Sequence, residues 1–167
     1  MWEIIVGLPI LAVAAFIQVG FFGQIRLMGG TPDLILLCII AWSINDRTEY
    51  SWILTIGGGL IMSYISAMPM NGYLWMYLFI WIMIRFIKMR VWQMPLVLML
   101  FVTITATLVI SVGTLGLLFL QNANVNYLEA FRQIIVPSLV MNLLLSVPMY
   151  AFLNDVINTI YINEETE

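Results

Sequence analysis

The sequence has no histidine, one cysteine and only fifteen charged side chains, six basic and nine acidic, among 167 residues. The lack of histidine excludes a serine–histidine hydrolase and metal ligation by imidazole. Cys38 has no second cysteine with which to pair, which excludes a secreted disulfide scaffold. Six basic residues cannot form the concentrated positive surface that nucleic-acid binding requires, so no nucleic-acid partner is expected.

Apolar residues make up 63% of the chain, charged residues make up 9%, and the mean hydropathy is +1.04. A soluble domain carries about a quarter charged residues, because water must wet its surface. The composition therefore predicts an integral membrane protein. We expect one all-α domain over residues 1–167, with the lipid bilayer as its solvent.

Apolar runs along the chain predict a compact bundle of about six transmembrane helices. A crossing needs about 20 apolar residues, and fewer where it ends in a loop buried within the protein. Five crossings are the alternative, because the second and third runs are short. The first run has no basic residue before it, so we expect a retained anchor and not a cleaved signal peptide. The predicted spans are 2–22, 31–45, 52–66, 72–88, 95–120 and 134–154.

The basic residues favour one orientation, with both termini on the cytoplasmic side of the membrane. If the N-terminus is inside, four basic residues fall in inner loops and two in outer loops, which fits the positive-inside rule. The inner group is expected to anchor the chain at the lipid headgroups or, alternatively, to contact a cytoplasmic partner. The inner residues are Arg47, Arg85, Lys88 and Arg90, and the outer ones are Arg26 and Arg132.

Small and polar residues recur every four positions in three spans, which places them on one helix face. Helices in lipid associate through such close approach and through polar contacts. The pattern fits either packing within the bundle or a groove for a partner helix. The three series are Thr55, Gly59, Ser63 and Ala67; Thr103, Thr107 and Ser111; and Ser138, Asn142, Ser146 and Tyr150, the last in a span that contains Pro137 and Pro148.

Two polar features within the spans need partners or a structural role. The amide of Asn142 would cost several kcal/mol if it were left unpaired in hydrocarbon. It is therefore expected to bond a neighbouring helix, with Gln18 as one candidate, a carbonyl released by Pro148, or a partner protein. Thr31, Pro32 and Asp33 indicate a helix start, with Thr31 as the cap and Asp33 near the positive end of the helix dipole. In the longest loop, Tyr127, Leu128 and Phe131 predict a short interfacial helix on the outer face.

The acidic residues do not form a catalytic pair in the predicted arrangement. Asp33 is expected at the outer end of span two, whereas Asp46 and Asp155 are expected toward the inner side. Carboxylates at opposite depths cannot share one proton across a scissile bond. No acid or base is expected at mid-depth, where an ion-coupled transporter needs one. We therefore expect no enzyme, no cofactor and no metal site.

Several short motifs resemble the MreD family of bacterial rod-shape-determining membrane proteins. The second span opens on Pro32-Asp33-Leu34 and the third contains Gly59-Leu60-Ile61. The turn that follows, Ser66-Ala67-Met68-Pro69 to Gly72, is similar to the family's small-residue, proline and glycine turn. The last span begins Pro137-Ser138-Leu139-Val140-Met141-Asn142, with Pro148 and Tyr150 after it. One position departs from the family. Four residues after the glycine that corresponds to Gly59, the family commonly has an aspartate, whereas this chain has Ser63.

The resemblance implies a non-catalytic scaffold subunit of the cell-elongation machinery that helps control peptidoglycan synthesis. The expected partners are an MreC-like single-span protein, RodA, a class B penicillin-binding protein and the actin-like MreB. The family is also thought to share the six-helix architecture of the substrate-binding subunits of energy-coupling-factor transporters. The alternative function is therefore a vitamin-capture subunit, whose site opens outward under loops one, three and five. The lack of a charged or aromatic cluster in the outer loops favours the scaffold.

Overall fold

The computed structural model describes residues 2–23, 30–66, 71–89, 94–121 and 127–164. This part of the chain forms six continuous helices and no strand, which confirms the all-α class. Helix α1 consists of Trp2–Ile17 and a π-helical end, Gln18–Phe22; α2 is Leu34–Ile44; α3 is Ser51–Ile65; α4 is Gly72–Lys88; α5 is Pro95–Leu120; and α6 consists of Tyr127–Ala130, a π-helical segment Phe131–Ile135, and Val136–Glu164.

Three of the helices are long and apolar enough to cross a bilayer. They cover Glu3–Phe22, Pro95–Leu120 and Leu128–Tyr161. Leu34–Ile44 and Ser51–Ile65 are apolar but shorter. These properties are typical of an all-α membrane protein.

Two helices have limits that differ from those of the predicted spans. Helix α2 begins at Leu34 and not at residue 31, because Asp33 is the capping residue and the two residues before it are not helical. The last helix covers 127–164, whereas the predicted span covers 134–154, since a short helix at Tyr127–Ala130 continues through a π-helical segment into Val136–Glu164. A π-helical turn absorbs an extra residue without breaking the helix, which explains this continuity.

Helix α2 is the centre of the bundle. All eleven of its residues are buried, and it packs against each of the other five helices. A helix that is apolar all round is stable only where it is surrounded on every side. Eleven residues rise about 16 Å, roughly half the thickness of the hydrocarbon core. One end of this helix therefore lies within the bundle and not at its surface.

Glu3 fixes which helix ends lie together. Its carboxylate accepts hydrogen bonds from the backbone N–H groups of Glu49 and Tyr50, at 3.3 and 3.0 Å, and from the hydroxyl of Tyr161. The start of α1, the α2–α3 connection and the C-terminal half of α6 therefore share one end of the bundle, here called the Glu3 end. Helices α2 and α6 run parallel, because Asp33 meets Asn142 and Asn45 meets Asn154.

Two close approaches of the backbone depend on glycine. A β-carbon at Gly59 would lie 2.9 Å from Leu74 Cα, so α3 and α4 can pack this closely only without a side chain there. A β-carbon at Gly30 would lie 2.5 Å from the backbone nitrogen of Ser138, which brings the segment before α2 against α6. Such approaches of small residues are how helices gain contact in lipid.

Candidate functional site: the polar junction at the head of helix α2

The first turn of α2 is the point at which polar side chains from five helices meet. We call this group the α2 junction and define it as Gln18 of α1, Asp33 at the cap of α2, Tyr77 of α4, Thr107 of α5 and Asn142 of α6. All five side chains are buried. A helix start that lies inside a bundle needs such a group, because its first four N–H groups have no partner within the helix.

Two side chains satisfy the free N–H groups of α2. Asp33 Oδ1 accepts a hydrogen bond from Leu36 N at 3.0 Å, which makes Asp33 the N-cap. Gln18 Oε1 accepts hydrogen bonds from Leu34 N at 2.8 Å and Ile35 N at 3.3 Å. The predicted cap, Thr31, is exposed and does not perform this role. Asp33 is the cap because its carboxylate reaches the N–H group of Leu36, three residues further along the chain.

Asn142 joins α6 to both α2 and α5. Its Oδ1 accepts a hydrogen bond from Asp33 N at 2.8 Å, and its Nδ2 donates to Thr107 Oγ1 at 3.0 Å. The amide therefore has internal partners. Gln18 is not bonded to Asn142 directly but caps the same helix start. One turn earlier on α6, Ser138 Oγ accepts a hydrogen bond from the backbone N–H of Thr31 at 3.2 Å.

Asp33 is bonded to a tyrosine and not to a cation. The hydroxyl of Tyr77 donates to Asp33 Oδ2 at 2.6 Å, and the ring of Tyr77 packs edge-to-face against Tyr73, with centroids 6.0 Å apart. Among the described residues Asp33 has no ion pair. Asp33 lies at the start of α2, and its side chain is buried inside the bundle. Its position at the outer end of a span stays a prediction.

A cavity of about 210 Å³ opens beside the junction. Gln18, Asp33, Thr107 and Asn142 line it, together with apolar residues of α5 and α6 and the side chain of Tyr73. Among its lining residues, Asp33 is the one charged side chain. The cavity therefore combines a buried carboxylate and hydroxyl and amide groups with apolar walls.

No protein family, curated protein or solved structure matches the chain.

The described members of the polar series on α3, α5 and α6 are buried or half-buried, whereas Ala67 lies outside the described residues. Ser63 Oγ accepts a hydrogen bond from Leu74 N at 3.2 Å, so it satisfies an N–H group in the first turn of α4. Ser146 is fully buried and donates to the carbonyl of Leu143 at 2.7 Å. Thr103 is fully buried, and its hydroxyl has no hydrogen-bond partner in the described part of the chain. Their positions fit packing within the bundle.

The other predicted site residues occupy varied positions. Pro32 is buried beside the cavity, Gly72 is buried at the first residue of α4, and Pro148 is exposed within α6. Pro69 and Arg90 lie outside the described residues.

Of the predicted cytoplasmic anchors, Lys88 has an internal role. Arg47 and Arg85 are exposed, as an anchor requires. The Lys88 ammonium instead donates to the carbonyl of Asn45 at 2.8 Å and pairs with Asp46 at 2.9 Å. A cation at the negative end of the α2 dipole is favourable, which explains the inward direction of Lys88.

Glu3 and Tyr77 are not predicted as site residues from the sequence. Both have a polar end within a mostly apolar run, but they belong to no pair of acids and to no series of small residues. An acid or a phenol within an apolar run is the signal that marks them. Among the described residues, no group of three acidic or cysteine side chains could hold a metal ion.

Proposed function

We propose that this protein is a non-catalytic membrane scaffold of the bacterial cell-elongation complex, as its resemblance to the MreD family implies. In this proposal it binds an MreC-like single-span protein and acts with RodA, a class B penicillin-binding protein and MreB. It helps control peptidoglycan synthesis and cell shape by holding its partners in position, and it performs no reaction of its own.

The observation that carries this proposal is the meeting of two motifs that lie far apart in the sequence. Pro32-Asp33-Leu34 and the segment from Pro137 to Asn142 both contribute to the resemblance. Asp33 N donates to Asn142 Oδ1 at 2.8 Å, across 109 positions of the chain. The resembling residues thus build one structural joint between helices, as expected of a scaffold that must present a fixed shape.

Position 63 supports the same interpretation. The family commonly has an aspartate where this chain has serine. Ser63 Oγ accepts the hydrogen bond of Leu74 N at the start of α4, a position at which a carboxylate is equally suited to accept one. The departure from the family therefore leaves a capping acceptor in place.

The proposed arrangement in the membrane is six spans with both termini in the cytoplasm, in a bundle similar to the substrate-binding subunits of energy-coupling-factor transporters. The Glu3 end carries the exposed Arg47 and Arg85, and we place it on the cytoplasmic side by the positive-inside rule. The contacts of Glu3 with Tyr50 and Tyr161 support an even number of crossings, because they bring both ends of the chain to one side.

The partner helix is expected to contact the lipid-facing surface of the bundle. Large apolar side chains are exposed along several helices, among them Phe16 of α1, Trp75 and Phe86 of α4, and Phe119 of α5. In a membrane such residues face either lipid or another transmembrane helix. Shape complementarity between helices then provides the affinity, since hiding apolar surface from lipid gains little.

The direct test is depletion of the protein in its rod-shaped host, with tagged protein recovered from native membranes in parallel. We expect depleted cells to become round and the tagged protein to carry a single-span protein with an extracytoplasmic domain. Cells that keep their shape and width after depletion would contradict the proposal. A control strain that expresses the wild-type chain from a plasmid should regain the rod shape.

The cavity favours one second candidate, a vitamin-capture subunit of a transporter. Ligand sites of that kind usually enclose about 300–1,000 Å³ and contain several aromatic surfaces. This cavity has about 210 Å³, and Tyr73 is the one aromatic side chain among its lining residues. The scaffold is therefore the better supported function. Mass spectrometry of the purified protein distinguishes the two, because a retained vitamin would favour the transporter subunit.

A further inference from the structure

The cavity beside the α2 junction has a chemical character that packing alone does not require. Its lining combines the polar groups of Asp33, Thr107 and Asn142 with apolar side chains such as those of Ile110 and Ile135. A volume of about 210 Å³ exceeds that of a cavity known to hold benzene, about 150 Å³. A compact molecule with one apolar ring or a short branched chain fits this space.

The charge of the cavity identifies the polar group of such a molecule. Asp33 accepts hydrogen bonds from Leu36 N and the Tyr77 hydroxyl, at 3.0 and 2.6 Å. A carboxylate has about four acceptor positions, so Asp33 can accept at least one further donor. A buried carboxylate without a positive partner is costly, and within a membrane protein such a group marks a binding or transport site by default. A ligand that brings a positive charge would remove that cost.

The helix geometry around the cavity points to a ligand independently of the charge. In the described part of the chain there are two π-helical segments, Gln18–Phe22 and Phe131–Ile135. Both supply lining residues, namely Gln18 from the first and Ile134 and Ile135 from the second. Single π-helical turns within α-helices occur frequently at functional sites, because they widen a helix locally and redirect its side chains.

We propose that this cavity is a binding site for a small organic cation, an ammonium group on a compact apolar body. The ammonium group pairs with Asp33 and donates to the hydroxyl of Thr107 or Ser111, both of which line the cavity. The ring of Tyr73 lines the same space and provides an aromatic surface that attracts a cation. The scaffold function does not require this site, so the two proposals can fail separately.

Three probes of nearly equal size and different charge test the proposal. Calorimetric titration of the full chain in lipid nanodiscs, with empty nanodiscs subtracted, compares phenethylamine, phenethyl alcohol and phenylacetate at neutral pH. We expect the amine to bind about ten- to a hundredfold more tightly than the alcohol, as for a buried hydrogen bond to a charged group. Phenylacetate should not bind, because its negative charge would be repelled by the Asp33 carboxylate.

Three variants locate the site. Asp33→Asn keeps a capping side chain of nearly equal strength and removes the charge, so it should lose the preference for the amine over the alcohol. Ser111→Phe fills the cavity and should abolish binding of both probes. Val112→Phe is the matched control, since Val112 is exposed on the outside of the same helix, and binding should not change.

Four results would overturn the proposal. They are the absence of amine binding to the wild-type protein, equal affinity for amine and alcohol, a preference for the amine that survives in Asp33→Asn, and equal losses in Ser111→Phe and Val112→Phe. Thermal unfolding of each variant in the same nanodiscs shows whether it is folded. If Asp33→Asn is unfolded, the comparison of Ser111→Phe with Val112→Phe still decides the location of the site.

Discussion

Replacing Asn142 by leucine tests the α2 junction most directly. The substitution keeps the approximate volume of the side chain but removes the acceptor for Asp33 N and the donor to Thr107 Oγ1. A buried N–H group without a partner costs about 1–3 kcal/mol. The hydroxyl of Thr107 loses less, because a threonine within a helix can donate to a carbonyl of its preceding turn.

The expected loss is therefore about 1–3 kcal/mol in the free energy of unfolding. Hydrogen bonds between membrane helices average about 0.6 kcal/mol, so a value near the lower end would still agree with the structure. For a chain of this size, each kcal/mol lowers the melting temperature by about 2–4 °C. Thermal unfolding in detergent, followed by circular dichroism or by the fluorescence of the six tryptophans, measures the change.

The matched control is Asn158→Leu. Asn158 is a half-buried amide on the same helix, and it makes no hydrogen bond with another described residue. Its replacement should change the melting temperature little, and in the stabilising direction if at all. Two results would contradict this role of the amide. One is a free energy of unfolding for Asn142→Leu within about 0.5 kcal/mol of the wild-type value. The other is a melting temperature for Asn142→Leu that is no lower than that of Asn158→Leu. If the proposed scaffold function is correct, a variant with a lower melting temperature should also retain less of the proposed MreC-like partner during purification.

Three further tests, at Tyr77, at a pair of glycines and at Lys88, examine other parts of the bundle by the same unfolding assay. Tyr77→Phe removes the hydrogen bond to the Asp33 carboxylate and should cost about 1–2 kcal/mol. Gly59→Ala should destabilise the protein, because the new β-carbon would lie 2.9 Å from Leu74 Cα, whereas Gly116→Ala meets no atom within 4 Å and should be neutral or stabilising. Lys88→Met removes the cation at the end of α2 and should cost about 1 kcal/mol, with less effect at high salt.

Each of these tests has an outcome that contradicts the reasoning. For Tyr77 it is an unchanged melting temperature in the phenylalanine variant. For the glycines it is an equal response at positions 59 and 116, since only the first faces a neighbouring backbone. For Lys88 it is a methionine variant as stable as the wild type at low salt.

Much of the helical organisation could be predicted from the sequence, because apolar runs and their breakers are local features. The predicted 72–88 and 95–120 agree with α4 and α5, and Pro95 opens α5 as a residue without an N–H group can. The start of α2 was predicted less well. Thr31, Pro32 and Asp33 are all plausible near a helix start, and only contacts with other helices select Asp33 as the cap.

The site was predicted in part, since the need of Asn142 for a partner follows from its chemistry in an apolar span. Its partners could not be predicted, because Asp33 and Thr107 are 109 and 35 positions away in the chain. Likewise, Lys88 stands at the end of an apolar run, a position that predicts an anchor at the lipid headgroups. Its inward direction depends on where the end of α2 lies in three dimensions.

The helical and apolar character of the chain follows from its composition and from the spacing of its breakers, because backbone groups in apolar spans must be satisfied within helices. Contacts between helices, in contrast, make the shortest apolar run the central helix and place its start inside the bundle. The free N–H groups of a buried helix start must find acceptors, and Gln18, Asp33 and Asn142 supply them from three separate parts of the chain.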